Sequence, residues 1–329
     1  MRLERVAVIG AGAWGTALAQ AAAVAGRDVL VVGRDAVVVD EINAHHANSE
    51  YLGPVALSPR IGASLNFNAT TDFVVFAVPA QHTRAAIESI GGKALAGKPV
   101  ILAAKGLEQK TLKRQSEILA ELAPEAMPLA LSGPSFAEDV AAGRPTAVTL
   151  AGDDLALADA VAAALAGTGF RPYAAGDLAG VELCGGLKNV YAIGCGAVEG
   201  AGLGASARAG LIARAYAELS RLVVALGGQA ATLHGLAGLG DLTLSCTSNQ
   251  SRNYRAGVAL GSGVITAAPQ VESMVLVEGV FTAPAAQQLA HRLGIEVPLI
   301  DAVNLLLSGE MHINDIVAGL MARPLKRED

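Results

Sequence analysis

The segment Gly10-Ala11-Gly12-Ala13-Trp14-Gly15 is a GxGxxG pattern close to the N-terminus. Alone, it says little more than glycine-rich turn. Here it follows an apolar run, Val6–Ile9, and opens an Ala-rich stretch, Thr16–Ala25, that reads as helix. Strand, turn and helix in that order are the setting in which the pattern holds a dinucleotide. Gly10 permits the tight turn, Gly12 lets the backbone approach a pyrophosphate, and Gly15 allows close helix–strand packing. The helix N-terminus adds N–H donors and a positive dipole end. Ala13 and Trp14 belong to the same turn and are assigned with it to cofactor binding.

Further short β-branched runs follow, separated by Ala-rich helical stretches: Val29–Val32, Phe73–Val78, Val100–Ala103, Leu129–Leu131, Ala147–Leu150 and Phe170–Tyr173. Several are apolar throughout, as strands covered on both faces are. The alternation predicts an α/β fold with a doubly wound, mostly parallel sheet of the Rossmann type. The second run ends Val32-Gly33-Arg34-Asp35. An acid directly at that end would hold the ribose of NAD, whereas Arg34 suits adenine stacking or the 2′-phosphate of NADP. Beyond about Gly176 the strands give way to helical stretches, Val181–Val198, Ala205–Leu226, Phe281–Leu293 and Val297–Leu307. The expected division is a dinucleotide-binding domain over 1–178 and an all-α substrate-binding domain over 179–329. Pro324–Asp329 reads as a loose charged tail.

Composition excludes some functions. The 329 residues are 52% hydrophobic, yet charged or amide residues interrupt every apolar stretch before a membrane span is reached, so no membrane insertion is expected. A net charge of −6 leaves no basic footprint for nucleic acid. Cys184, Cys195 and Cys246 form no CxxC pair and read as buried free thiols in a reducing compartment. The six histidines show no metal-ligand spacing, so no metal is expected, and His45 and His46 read as solvated loop positions. Met1–Arg5 runs straight into the first strand, which leaves no room for a signal peptide and points to the cytoplasm.

Candidate chemistry sits on a few charged residues. Lys188 lies in a helical stretch poor in charge, just after Gly185 and Gly186, whose small size would let a substrate approach. Burial would bring a lysine there toward the pKa range useful for proton transfer. Lys105 follows a strand, where ligands bind in open α/β sheets. Asp241 sits in a loop framed by Gly238 and Gly240 and would orient a lysine. Arg252 beside Asn253 is suited to clamping a phosphate.

Several segments occur together in a telling order: Ile42–Leu57 (INAHHANSEYLGPVAL), Phe76–Gln81 (FAVPAQ), Ala104-Lys105-Gly106, Leu131–Ala137 (LSGPSFA), Leu187-Lys188-Asn189, Gly238–Leu242 (GLGDL), Ser251-Arg252-Asn253 and Val277-Glu278-Gly279. Across nearly the whole chain this series resembles the bacterial NAD(P)-dependent glycerol-3-phosphate dehydrogenases. The resemblance implies hydride transfer between NAD(P)H and dihydroxyacetone phosphate, giving sn-glycerol 3-phosphate for phospholipid synthesis, in a homodimer. It makes Lys188 the proton donor and acceptor, with Lys105 and Asp241 beside it. It places Lys105, Gly133, Ser135, Asn189, Asp241, Ser245, Ser251, Arg252 and Asn253 around the substrate. Cofactor contacts are implied for Gly10, Gly12, Ala13, Trp14, Gly15, Arg34, Lys105, Ala137, Arg252, Val277 and Glu278. The chain departs from the family pattern at Cys184, across Ser206–Glu218, and at Gly53, where proline is common.

Two other readings compete. A 3-hydroxyacid or 6-phosphogluconate-type dehydrogenase would require an asparagine four residues after the lysine, where this chain has Ala192. A non-enzymatic dinucleotide-sensing module would need neither the lysine–aspartate pair nor the phosphate clamp.

Overall fold

The computed structural model describes residues 2–274, 276–324 and 327. Eight strands form one sheet: β1 Arg5–Ile9, β2 Asp28–Val32, β3 Ile61–Ser64, β4 Phe73–Phe76, β5 Pro99–Leu102, β6 Met127–Ser132, β7 Thr146–Ala151 and β8 Phe170–Ala175. Their order is β3-β2-β1-β4-β5-β6-β7-β8, and every pairing is parallel except β6 with β7. All side chains of β4 and β5 are buried, and only Arg5 of β1 is exposed, because helices cover both faces. One apolar core lies under the helix Ala13–Val24 and a second on the opposite face, around Phe76, Ile87 and Ile118.

The structure adds β3 to the seven expected strands. Its sequence IGAS holds a single β-branched apolar residue, too little to announce a strand, yet it pairs along the edge with β2. The expected strand Phe73–Val78 stops at Phe76, where the chain turns toward Pro79. The first helix starts at Ala13 rather than Thr16, and another starts at Glu278 rather than Phe281.

After β8 the chain is helical. The helix Leu178–Gly200 runs through the middle of a third core, capped by Asp177, whose side chain accepts the Gly180 N–H at 2.9 Å. It lies in backbone contact with the helix Arg252–Gly261. A Cβ on Gly196 would fall 2.0 Å from the Tyr254 carbonyl oxygen, and one on Gly257 would fall 2.0 Å from that of Ile193. Only glycine on both helices allows this approach, and it brings the start of the second helix against the middle of the first. Two of the departures from the family pattern have local answers. Cys184 is buried in this core, and Gly53 has φ +60°, which a proline ring forbids. Of the expected charged tail, Pro324 and Arg327 are exposed, and the other positions lie outside the described residues. No helix among the described residues is long and apolar enough to cross a membrane.

Candidate active site

The strand order reverses between β1 and β4, and the glycine turn sits at the C-terminal end of β1, at that switch point. Gly10 has φ +114°, and a Cβ there would lie 2.9 Å from the Ala77 carbonyl oxygen. A Cβ on Gly15 would come within 1.9 Å of the Gly10 carbonyl oxygen, whereas one on Gly12 would meet nothing within 4 Å. The turn is closed tightly on two sides and open at Gly12, the cradle a pyrophosphate requires. Ala13 and Trp14 begin the helix, with the Trp14 indole N–H enclosed and without a partner. Arg34 stands exposed past the end of β2, while Asp35 caps the next helix by accepting the Val37 N–H at 2.8 Å. Ala137 is half-buried at the start of the helix Ala137–Ala141, packed against the core beneath the turn.

The charged residues converge at the same edge of the sheet, past the ends of β5 and β6. The lysine Nζ of Lys188 is 2.6 Å from Asp241 Oδ1 and 2.6 Å from Ser245 Oγ. That of Lys105 is 2.7 Å from Asp241 Oδ2 and 3.1 Å from the Gly133 carbonyl oxygen. Asp241 is completely buried and Lys188 nearly so. Burial would push the Asp241 carboxyl up, but the two ammonium groups outweigh it and hold the carboxyl below its usual range. Burial pushes Lys105 down to about 8; Asp241 opposes this, and the neighbouring Lys188 adds to it. One carboxylate thus serves two lysines.

Local packing explains the convergence. A Cβ on Gly185 would lie 2.5 Å from Ser132 Oγ, and one on Gly186 would lie 3.2 Å from the Gly106 backbone. These glycines therefore serve helix–loop packing, a correction to the expectation that they open a path for substrate. Their fit draws Lys188 toward the Lys105 loop. Asp241 and Ser245 stand one turn apart on the helix Asp241–Thr247 and face the same lysine.

A chain of amides links this cluster to the next helix. Asn189 Nδ2 donates to the Lys105 carbonyl oxygen at 3.0 Å. Its Oδ1 accepts from Asn253 Nδ2 at 2.9 Å, and Asn253 Oδ1 accepts the Gly279 N–H at 2.9 Å. Both ends of the Asn253 amide are therefore engaged. Ser251 caps the helix by accepting the Tyr254 N–H at 3.3 Å, and Arg252 projects from its first turn, in reach of solvent but with its pKa lowered by partial burial. Val277 is buried beside Glu278, whose Oε1 accepts the Ala80 N–H at 3.0 Å while Oε2 is buried without a partner. Burial pushes the Glu278 carboxyl up to about 7, with Ala80 and the nearby Arg252 charge opposing. Ser135 Oγ donates to the Gly133 carbonyl oxygen at 3.0 Å.

The sequence reading gave no role to Ser132, although it opens the SGPSFA segment. It is buried, and its Oγ reaches Asp241 Oδ2 at 3.3 Å. The three cysteines are buried free thiols as expected, and burial pushes Cys184 up to about 12, which keeps it unreactive. His45 is exposed, but His46 corrects the expectation of a solvated loop. It is half-buried and ends the helix Ala36–His45 in a left-handed conformation, φ 46°. Ala192 is fully buried in the helical core and brings no polar side chain to the position where a 3-hydroxyacid-type enzyme would need asparagine.

A dinucleotide cradle and a buried lysine–aspartate–lysine cluster at one sheet edge define a nicotinamide-dependent dehydrogenase. The family described as NAD-dependent glycerol-3-phosphate dehydrogenase matches with its N-terminal model over residues 5–158 and its C-terminal model over residues 177–318. A protein of Caulobacter vibrioides named glycerol-3-phosphate dehydrogenase (NAD(P)+) is 48% identical over 330 residues, covering 100% of both chains. One of Maricaulis maris with the same name is 48% identical over 327 residues, covering 99% of this chain and 98% of its own. The crystal structure of glycerol-3-phosphate dehydrogenase from Coxiella burnetii superposes with a TM-score of 0.91 at 36% identity, covering 97% of this chain and 99% of that one. The chain belongs to the NAD-dependent glycerol-3-phosphate dehydrogenase family.

Proposed function

We propose that this protein is a cytoplasmic homodimeric enzyme that reduces dihydroxyacetone phosphate to sn-glycerol 3-phosphate with NADH or NADPH, reversibly, and so supplies glycerol phosphate for phospholipid synthesis. Residues 1–178 bind the dinucleotide and residues 179–329 shape the substrate site. The observation that carries the reading is the Lys188–Asp241–Lys105 cluster at the edge of the sheet that bears the glycine turn. The cofactor, when bound, supplies the hydride. Gly10, Gly12, Ala13, Trp14 and Gly15 would hold its pyrophosphate end, with Arg34, Ala137, Val277 and Glu278 as further contacts. Lys188 holds the proton delivered to the ketone oxygen, and Asp241 fixes its Nζ while Ser245 shares it. Lys105 places a second positive charge beside the developing alkoxide. Arg252 and the Asn253 N–H at the helix start, which Ser251 caps, meet the phosphate. Gly133, Ser135 and Asn189 line the space between. Oxidation of NADH and NADPH with dihydroxyacetone phosphate, set against 3-oxoacids and unphosphorylated dihydroxyacetone, tests the assignment. A strong preference in kcat/KM for the phosphorylated ketone over the other two supports it, and preference for a 3-oxoacid overturns it.

The cluster predicts a pH dependence. Lys105 loses its proton as pH rises through about 8. The second positive charge beside the developing alkoxide is then lost. Ketone reduction should therefore fall as pH rises through about 8, measured as kcat/KM for dihydroxyacetone phosphate. A profile flat from about pH 7 to about pH 9.5 contradicts this.

Arg34 predicts cofactor discrimination. Arg34→Ala should raise KM for NADPH about 10-fold and that for NADH much less, because only NADPH carries a 2′-phosphate. Equal losses with both cofactors would limit Arg34 to adenine stacking.

A further inference from the structure

The glycine turn is held in shape by a residue far from it in sequence. Asn48 lies in the Ile42–Leu57 segment, and it is fully buried. The left-handed His46 ends the preceding helix and turns the chain back toward the cofactor turn. Asn48 Nδ2 then donates to the Ala11 carbonyl oxygen at 2.9 Å and to Thr16 Oγ1 at 2.8 Å. A carbonyl oxygen can only accept, so this contact fixes which end of the amide faces the turn. Thr16, also fully buried, donates its hydroxyl to the same Ala11 oxygen at 3.3 Å. Two donors 32 residues apart in sequence thus meet on one carbonyl.

The consequence follows from peptide geometry. The Ala11–Gly12 peptide is planar and trans, so its C=O and N–H point in opposite directions. Holding the Ala11 oxygen inward turns the Gly12 N–H outward, where no backbone acceptor meets it among the described residues. Gly12 is also the position at which the turn is open, with nothing within 4 Å of a Cβ built there. Without the two donors this peptide is free to rotate, since glycine tolerates the alternative conformations. A rotated peptide would present a carbonyl oxygen to an anion in place of an N–H.

We propose that Asn48, with Thr16, is a positioning residue for cofactor binding: it anchors the Ala11 carbonyl so that the Gly12 N–H is aimed at the pyrophosphate. This rests on the reading of Gly10–Gly15 as the dinucleotide site. Because the pyrophosphate is common to both cofactors, the effect falls equally on NADH and NADPH and leaves the substrate side alone.

The test is calorimetric titration of the full-length protein with NADH and with NADPH, together with steady-state kinetics. Asn48→Ala should raise Kd for both cofactors about 10-fold, with kcat at saturating cofactor and KM for dihydroxyacetone phosphate within about threefold of the parent. Thr16→Val should weaken both cofactors in the same direction, and Thr16→Ser, which keeps the hydroxyl, should restore affinity. The Thr16 pair also carries the test if Asn48→Ala fails to fold. A fall in melting temperature or in kcat with cofactor Kd unchanged in Asn48→Ala would make the residue merely structural and overturn the proposal. So would Kd within about twofold of the parent in both Asn48→Ala and Thr16→Val. If the parent itself binds neither reduced cofactor, the dinucleotide reading fails instead.

Discussion

Lys188→Ala should lower kcat for dihydroxyacetone phosphate by about 100- to 10,000-fold while Kd for the reduced cofactor stays within about threefold, the range expected when a positioned general acid is lost. The fold should survive the change. Asp241 keeps Lys105 at 2.7 Å, so the buried carboxylate retains a counter-ion, and the cluster passes from two cations per anion to one. Leaving a buried charge wholly unpaired would cost about 3–5 kcal/mol, and this variant avoids it. The cofactor cradle is built on β1 and the helix Ala13–Val24, and no bond from Lys188 reaches it. Single-turnover kinetics with cofactor titrations separate the two effects. More than about a tenth of the parental kcat would move the proton to Lys105 or to water.

Arg252→Ala should cost about 10- to 150-fold in kcat/KM for dihydroxyacetone phosphate and almost nothing for unphosphorylated dihydroxyacetone, as loss of a charge-assisted hydrogen bond to the phosphate implies. Arg252 stands at the first turn of the helix Arg252–Gly261, so under the proposed reading its side chain and the helix start serve the same phosphate. The Asn253 amide is occupied by Asn189 and Gly279, which leaves the guanidinium as the mobile cation of this clamp. Removing it keeps the Ser251 cap and the glycine packing that seats the helix. Equal proportional losses on both ketones would falsify the clamp and assign Arg252 to the cofactor or to stability.

Much of this site was legible because its chemistry is carried by rare residues in an apolar chain. Lys105, Lys188 and Asp241 stood out among Ala, Gly and Val, and each followed a strand end or sat among glycines. What pattern reading could not supply was their meeting. Lys105 and Asp241 are 136 residues apart, and only the tertiary fold puts two ammonium groups on one carboxylate. The glycines were harder to interpret. Gly185, Gly186, Gly196 and Gly257 look like weak points in helices, and their purpose emerges only from the backbones they touch. β3 escaped because an edge strand needs little hydrophobic content. Asn48 escaped because a buried amide carries no local signature: its partners, Ala11 and Thr16, lie on another element.

The most direct test of the central claim follows a label. Reduced cofactor deuterated at the transferable position of the nicotinamide is turned over with dihydroxyacetone phosphate, and the product is analysed by mass spectrometry and by stereospecific assay. The account predicts sn-glycerol 3-phosphate with one deuterium on the former carbonyl carbon, formed by the parent and nearly abolished in Lys188→Ala. Unlabelled product, the opposite enantiomer, or undiminished label transfer in Lys188→Ala would contradict it.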